Sequence, residues 1–260
     1  MFDIIANRPF GIIDNIAYFV SEKEPDSNIE WADGLISGNW VEKNWNEHFN
    51  LKNDIRVNVA KKISEKGGDI LEIGTGPGGG FVTFVLDNDI NANIIISDLS
   101  PTVVKEWKLF FDKKIKPANV KYAVLDTCDI PFKDETINIV SGYGGFGNIE
   151  GNKIKALKEI YRVLKNSGVY IIGDICVNNE YAKTIPVEAY NILKQKFPDI
   201  FIDYYQESLD VGFSKIENII GKTWNNKNDE SVLASLCREL GIYLEFSTYI
   251  RYCYKIVMGS

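Results

Sequence analysis

The sequence predicts a doubly wound α/β fold built on a mostly parallel, seven-stranded sheet. Three observations predict it. Five short apolar runs of strand length alternate with stretches that carry a helical apolar stripe. The first of these runs, DILEIG at 69–74, opens directly into the glycine-rich turn GTGPGGG. The C-terminal stretch IYLEFSTYIRYCYKIV reads as a closing strand pair that supplies one antiparallel strand.

Residues 1–52 show no clean period and are rich in aromatics, among them Phe10, Tyr18, Trp40 and Trp45. They are expected to form short helices and turns that lie as a lid over the rest. From about Asn53, Ile55, Val59 and Ile63 recur at i, i+4 and i+8, a helix with one apolar stripe, stopped by Gly67-Gly68. After the first strand and its turn, a helix is expected from about Pro77 to Leu86. NIIISD (93–98) is the second strand. Ser100 reads as the N-cap of the next helix, Pro101 as its first residue, and Val103, Trp107 and Phe111 as part of its inward face.

VKYAVLD (120–126), TINIVSG (136–142) and VYIIGDI (169–175) are the third, fourth and fifth strands. Between the last two, Ile154, Leu157, Ile160 and Leu164 mark an amphipathic helix that ends near Asn166-Ser167-Gly168. Residues 178–228 break the rhythm. They contain a helix over Val187 to Phe197 and are expected to form a cap inserted after strand five. Leu233, Leu236 and Leu240 belong to the last helix, and the closing strands meet at a tight turn around Ser247-Thr248.

Composition narrows the function. The 260 residues carry 29 Lys+Arg against 36 Asp+Glu, a formal charge of −7. An acidic chain is a poor partner for a phosphate backbone, so nucleic acid is not expected as a partner. No apolar run approaches the roughly 20 residues that span a bilayer, so no membrane partner is expected either. The opening MFDIIANRPF lacks a basic-then-apolar secretion pattern, and the expected location is cytoplasmic. Cys128, Cys176, Cys237 and Cys253 form no close pair and only one histidine is present, so free thiols and no metal site are expected.

The chemistry concentrates at Asp69-Ile70-Leu71-Glu72-Ile73-Gly74-Thr75-Gly76-Pro77-Gly78-Gly79. A buried strand enters a turn that glycines make without Cβ clashes, and free N–H groups follow it. In open α/β sheets such a crevice beyond the strand ends is where ligands bind. Gly74, Gly76 and Gly79 fit G-x-G-x-x-G, which dinucleotide enzymes also use. Asp98 ends the second strand, where a carboxylate can accept both ribose hydroxyls, and this too is shared with those enzymes. Glu72 is the discriminating residue at this level. A carboxylate at the strand end would repel a diphosphate but suits the ammonium and sulfonium groups of S-adenosylmethionine.

Four segments in order resemble the class I methyltransferases, in particular the small-molecule enzymes of the methyltransferase type 11 and quinone-biosynthesis group. They are ILEIGTGPGGG, IIISDLSPTVV, VLDTCDIPFKDETINIVSGYGGFGNI and ALKEIYRVLKNSGVYIIGD. The resemblance covers about residues 53–175, with a looser match at 229–257, and implies a Rossmann-like methyltransferase domain over 53–260 with S-adenosylmethionine as cofactor. By position, it assigns Glu72 and the backbone of Gly74, Thr75, Gly76 and Gly78 to the methionine part, Asp98 to the ribose and Leu99 to the adenine face. Asp126 would accept from the adenine amino group, with Thr127 and Cys128 beside the ring. Ser141, Gly142 and Tyr143 would approach the reactive end. Arg162-Val163-Leu164-Lys165 matches a structural helix-end signature.

Three positions depart from the family pattern. Asn166-Ser167-Gly168 replaces a Pro-Gly, Asn138 replaces an aspartate, and Gly145-Phe146-Gly147-Asn148 replaces a frequent histidine pair. The last departure leaves the acceptor chemistry without an assigned residue.

The implied reaction is in-line transfer of a methyl group to a small organic molecule. It needs an acceptor atom held about 3 Å from the methyl carbon more than it needs an acid or base. Tyr143 and His48 are the weak catalytic candidates. His48 titrates in the right range, yet a lone histidine in NWNEHFN equally suits a surface or packing role. Asp174, at the end of strand five, faces the same crevice and is a further candidate polar contact, and Cys176 is the one cysteine placed near that strand end. Two other readings stay open at this level: a non-catalytic module that binds S-adenosylmethionine, and an NAD(P)-linked oxidoreductase.

Overall fold

The computed structural model describes residues 4–7, 9–20, 39–48, 55–81, 92–114, 119–147, 149, 152–177, 183–197, 204–227 and 232–256. Its strands are β1 (Gly11–Ile13), β2 (Ile16–Tyr18), β3 (Gly68–Glu72), β4 (Ala92–Asp98), β5 (Val120–Val124), β6 (Ile137–Tyr143), β7 (Leu164–Val177), β8 (Lys215–Asn225) and β9 (Glu245–Tyr254). Its helices are α1 (Trp40–His48), α2 (Ile55–Lys66), α3 (Pro101–Lys114), α4 (Lys153–Val163), α5 (Val187–Lys196), α6 (Tyr205–Val211) and α7 (Val232–Glu239).

All nine strands form one sheet in the order β1-β2-β5-β4-β3-β6-β7-β9-β8. From β2 to β7 every neighbouring pair is parallel. β9 runs antiparallel to both β7 and β8. The strand order turns back at β3, because β4 and β5 lie on one side of it and β6 and β7 on the other. That is the switch point at which a crevice opens above the strand ends.

The sheet is covered on both faces. Apolar side chains alternate along the strands, so Ile70, Ile94 and Ile139 pack on one face with α2 and α3, through Val59, Ile63, Trp107 and Phe111. Leu71, Ile95 and Val140 pack on the other face with α4, through Leu157 and Ile160. A third cluster joins Val177 and Phe246 to α5 and α7. The expected N-cap of α3 is present, since Val103 N donates to Ser100 Oγ at 3.3 Å.

Several elements differ from the sequence expectation. Among the described residues the seven expected strands become nine: residues 11–18 add a two-stranded hairpin beside β5, β8 is a further strand, and the expected closing pair is the single β9. The hairpin's tip, Asp14-Asn15, has φ of 50° and 62°, as a two-residue hairpin turn requires. Part of the expected lid is therefore sheet. Residues 215–225 are likewise a sheet strand, so the segment set aside as a cap ends before Lys215. β8 lies at the edge and its register shifts between Ile220 and Thr223, which erases the alternation that would have marked it. Conversely, Ser247 and Thr248 make no turn. They pair with Cys176 and Ile175 inside one continuous β9. Of the helix expected over 77–86, residues 77–81 form turns and the remainder lies outside the described residues.

Arg162 performs the structural role expected of it. Its guanidinium donates to the carbonyls of Phe132 and Ile130, both at 2.7 Å, and pairs with Glu159 and Asp134. Those acidic partners hold its proton above the usual guanidinium range. The result ties α4 to the loop between β5 and β6. Arg162→Ala leaves two buried-side carbonyls without their donor, and denaturant titration is expected to show a loss of about 1–3 kcal/mol.

Candidate active site

β3 ends at Glu72, and the chain then rises over the sheet edge in a turn held by its neighbours. Ile73 N donates to Ser141 O at 2.8 Å. Thr75 donates to Ser97 O through both its N–H (3.1 Å) and its hydroxyl (2.9 Å). Gly76 N donates to Asp98 Oδ2 at 2.9 Å, while Asp98 Oδ1 accepts from Ser100 N at 2.9 Å. Trp107 Nε1 of α3 donates to Gly76 O at 2.7 Å.

Glycine is required at two of these positions for different reasons. Gly74 has φ of 53°, and an added Cβ would lie 2.9 Å from the Cα of Gly145 in the loop after β6. Gly80 has φ of 55°, and an added Cβ would collide with Glu72 Oε1. By contrast, among the described residues a Cβ at Gly78 or at Gly144 would meet nothing within 4 Å. The crest between the two loops is therefore open beside Gly78 and Gly144.

The acidic residues fall into two kinds. Asp98 and Asp126 are half-buried at the crest, beyond β4 and β5. Asp126 Oδ1 accepts from Cys128 N at 2.8 Å, and Leu99, 43% exposed, follows Asp98. Glu72 is different, with 0% exposure. Its Oε1 accepts from Phe81 N at 3.0 Å and its Oε2 from the Ser141 hydroxyl. Burial pushes its carboxyl up to about 8, against the two hydrogen bonds, which favour the charged form.

The sequence-assigned residues thus separate. Gly74, Thr75, Gly76, Gly78 and Asp98 come together at the switch point, with Leu99 beside them. Asp126, Thr127 and Cys128 form an adjoining turn, in which burial and then the Asp126 charge push the Cys128 thiol up. Ser141 and Gly142 are buried in β6, and the Ser141 hydroxyl is committed to Glu72. Tyr143 is half-buried. Its ring meets Phe81 edge-on at 5.5 Å, and the Arg56 guanidinium of α2 lies 4.8 Å from its centre. That contact brings a cation to the ring from the protein itself. His48 is the last residue of α1, and its side chain lies outside the described residues. Asp174 Oδ1 accepts from Ile175 N, and Cys176 Sγ contacts Ser247 O at 3.6 Å. Among the described residues, no group of three or more His, Cys, Asp or Glu is placed to hold a metal ion.

Two contacts were missed from sequence. Trp107 reads as core by periodicity, yet its indole N–H reaches the turn. Asn44 of α1 donates to Pro77 O at 2.9 Å, tying the N-terminal segment to the glycine turn. Trp45 next to it packs on Phe110 and Phe111 at 5.4 and 5.5 Å. The placement of α3 against the turn reveals the first role, and the packing of α1 on α3 the second.

Residues 71–172 match the family model described as a methyltransferase domain. The matched stretch runs from β3 into β7 and so contains the glycine turn and the strand ends around it. No curated protein matches the sequence. Solved structures resemble this fold. The YcgJ protein of Bacillus subtilis is 16% identical, with a TM-score of 0.58 over 78% of this chain and 99% of that one. Phosphoethanolamine N-methyltransferase 2 of Haemonchus contortus is 16% identical, with a TM-score of 0.57 over 89% of this chain and 59% of that one. Geranyl diphosphate C-methyltransferase of Streptomyces coelicolor A3(2) is 14% identical, with a TM-score of 0.52 over 77% of this chain and 75% of that one. At these identities the likeness is one of fold.

The Glu72 environment has a pH consequence. A carboxyl held near 8 in the fold and near 4.5 when unfolded keeps its proton only in the native state between those values. Its contribution to stability is therefore full below about pH 4.5 and is lost as pH rises towards 8. Glu72→Gln removes this titration. Melting temperatures of wild type and variant are expected to diverge in favour of the variant from pH 5 to pH 8. Parallel curves would place the proton elsewhere.

Proposed function

We propose that this protein transfers a methyl group from S-adenosylmethionine to a small organic acceptor. The observation that carries the reading is the methyltransferase-domain match over 71–172, laid on a switch point whose glycine turn and Asp98 leave an open crest. The residues present fit the cofactor. The turn from Gly74 to Gly78 has room for an approaching ligand at Gly78. Asp98 ends β4 with acceptor oxygens already oriented by Gly76 and Ser100, and a carboxylate oxygen has more than one acceptor site. Asp126 stands where the adenine amino group would be met, with Thr127 and Cys128 beside it and Leu99 exposed towards the same edge.

When bound, the cofactor supplies an electrophilic methyl and a neutral leaving group. The chain's part is to hold the donor along the strand ends, align the acceptor and exclude water. The walls of the acceptor space are the loop after β6, the N-terminal segment carrying α1 and the segment after β7 carrying α5 and α6. The Asn44–Pro77 contact supports this role for α1. Two fold neighbours act on geranyl diphosphate and on a phosphoethanolamine, which supports an acceptor of small-molecule size. A cytoplasmic location accords with the absence, among the described residues, of a helix long and apolar enough to cross a membrane.

Calorimetry with S-adenosylhomocysteine and with NADH separates this reading from a dinucleotide enzyme, since only the thioether is expected to bind. Incubation with methyl-labelled cofactor and a metabolite extract is expected to yield a labelled small molecule; binding without any labelled product would favour a non-catalytic module. Asp98→Ala is expected to weaken S-adenosylhomocysteine by about 1–3 kcal/mol, the scale of a lost charged hydrogen bond. Unchanged affinity would remove Asp98 from the site.

A further inference from the structure

The carboxyl at the end of β3 has no route to the crest. Glu72 is fully buried, and the chain itself occupies both oxygens. Oε1 receives the N–H of Phe81, the last described residue of the turn. Oε2 meets the Ser141 hydroxyl, one strand away in β6. Gly80 packs so closely on Oε1 that no side chain fits there. The ring of Phe81 is itself wholly buried and packed on Tyr143. These contacts tie Phe81, at the far end of the glycine turn, back to the place where the β3–β6 ladder ends at Glu72 and Ser141.

Among the described residues, the groups around Glu72 supply no compensating charge. β4 contributes Ser97, whose hydroxyl donates to the Glu72 main-chain carbonyl at 2.6 Å. β6 contributes Ser141, and Tyr143 beyond it. The turn contributes the Gly80–Phe81 backbone. From β7, the Tyr170 hydroxyl is a buried neutral group whose proton is held well above the usual range, by burial first and in part by Glu72. From α2, Arg56 lies over the Tyr143 ring. Burying an ionised carboxylate without a cation is costly, whereas a neutral carboxyl with a donor and an acceptor is at home.

We propose that Glu72 is a positioning residue that works uncharged, clamping the glycine turn to β6 through Phe81 and Ser141 rather than meeting the cofactor's positive charge. The inference rests on the donor-site reading above and changes the role of one residue within it. In the neutral form the proton sits on Oε2 and is shared with Ser141 Oγ, while Oε1 keeps the Phe81 N–H. The donor is then selected by the shape the clamp gives to Gly74–Gly78, and its charge is met elsewhere.

Gln at position 72 reproduces this neutral arrangement: its amide N–H₂ replaces the proton facing Ser141, and its carbonyl still accepts from Phe81. Ala deletes the clamp. Gly80→Ala leaves the carboxyl intact but forces the turn off it. Hydrogen exchange at the Phe81 amide reads the clamp with no ligand present. Protection is expected in wild type and Glu72→Gln, and its loss in Glu72→Ala and Gly80→Ala. Calorimetry then reads the consequence. Glu72→Gln is expected to bind S-adenosylmethionine and S-adenosylhomocysteine within about threefold of wild type, whereas Glu72→Ala and Gly80→Ala lose roughly tenfold or more.

Titrations near pH 7 in buffers of different ionisation enthalpy are expected to show no proton released on binding. Loss of affinity in Glu72→Gln equal to that in Glu72→Ala, or release of about one proton, would overturn the proposal and restore Glu72 as a charged contact. So would free exchange of the Phe81 amide in wild type. If no form binds either adenosyl compound, the donor-site reading fails, and the exchange measurement alone still decides the clamp. Should Glu72→Ala not fold, Glu72→Gln and Gly80→Ala decide both.

Discussion

The turn after β3 has no regular secondary structure, so its shape is imposed by hydrogen bonds from the strands and helix around it. Ser97 and Asp98 of β4 hold Thr75 and Gly76. Trp107 of α3 holds the Gly76 carbonyl, and Ser141 of β6 holds Ile73. The strand groups among these, Ser97, Asp98 and Ser141, sit beside the turn because the parallel register puts them there. Glu72 pairs with Ile96 on one side and Ser141 on the other. A one-residue slip of β4 or β6 would turn every one of these partners to the opposite face. The crevice is thus a product of sheet register before it is a property of any single side chain.

The two kinds of carboxyl at this edge illustrate how environment assigns a role. Asp98 and Glu72 both end core strands and both accept backbone N–H groups. Asp98 stands at the half-exposed crest. Glu72 is enclosed, and desolvation dominates it. Carboxyls at the ends of two neighbouring strands thereby differ in kind: Asp98 lies at the half-exposed crest, and Glu72 holds the turn from within through Phe81.

Around this centre the sheet is extended at both edges. The β1–β2 hairpin adds to the β5 side, and β8–β9 to the β7 side. The hairpin leaves Phe10, Ile12 and Ile13 exposed at its outer edge. α1 is fastened twice, by Trp45 on α3 and by Asn44 on the turn. On the far side, α5 and α7 are held to the sheet by their own apolar cluster around Leu193 and Cys237. The elements on the two sides of the crest thus have separate anchors.

Much of the central fold is legible in the sequence, because buried parallel strands are continuous apolar runs and their helices carry one stripe. The five core strands, α2, α3, α4 and the glycine turn all have such local signatures, and Asp98 and Asp126 follow from their places at strand ends. The edges are not legible in the same way. β1 and β2 are three residues each, β8 is interrupted by a register shift, and Ser247-Thr248 looks like a turn until β7 is seen pairing across it. What the residues alone determined is a glycine-bearing switch point with acidic strand ends. What only tertiary structure decided is which of those acids sees solvent. Burial depends on neighbours brought from far along the chain, and for Glu72 those neighbours are Phe81 and Ser141.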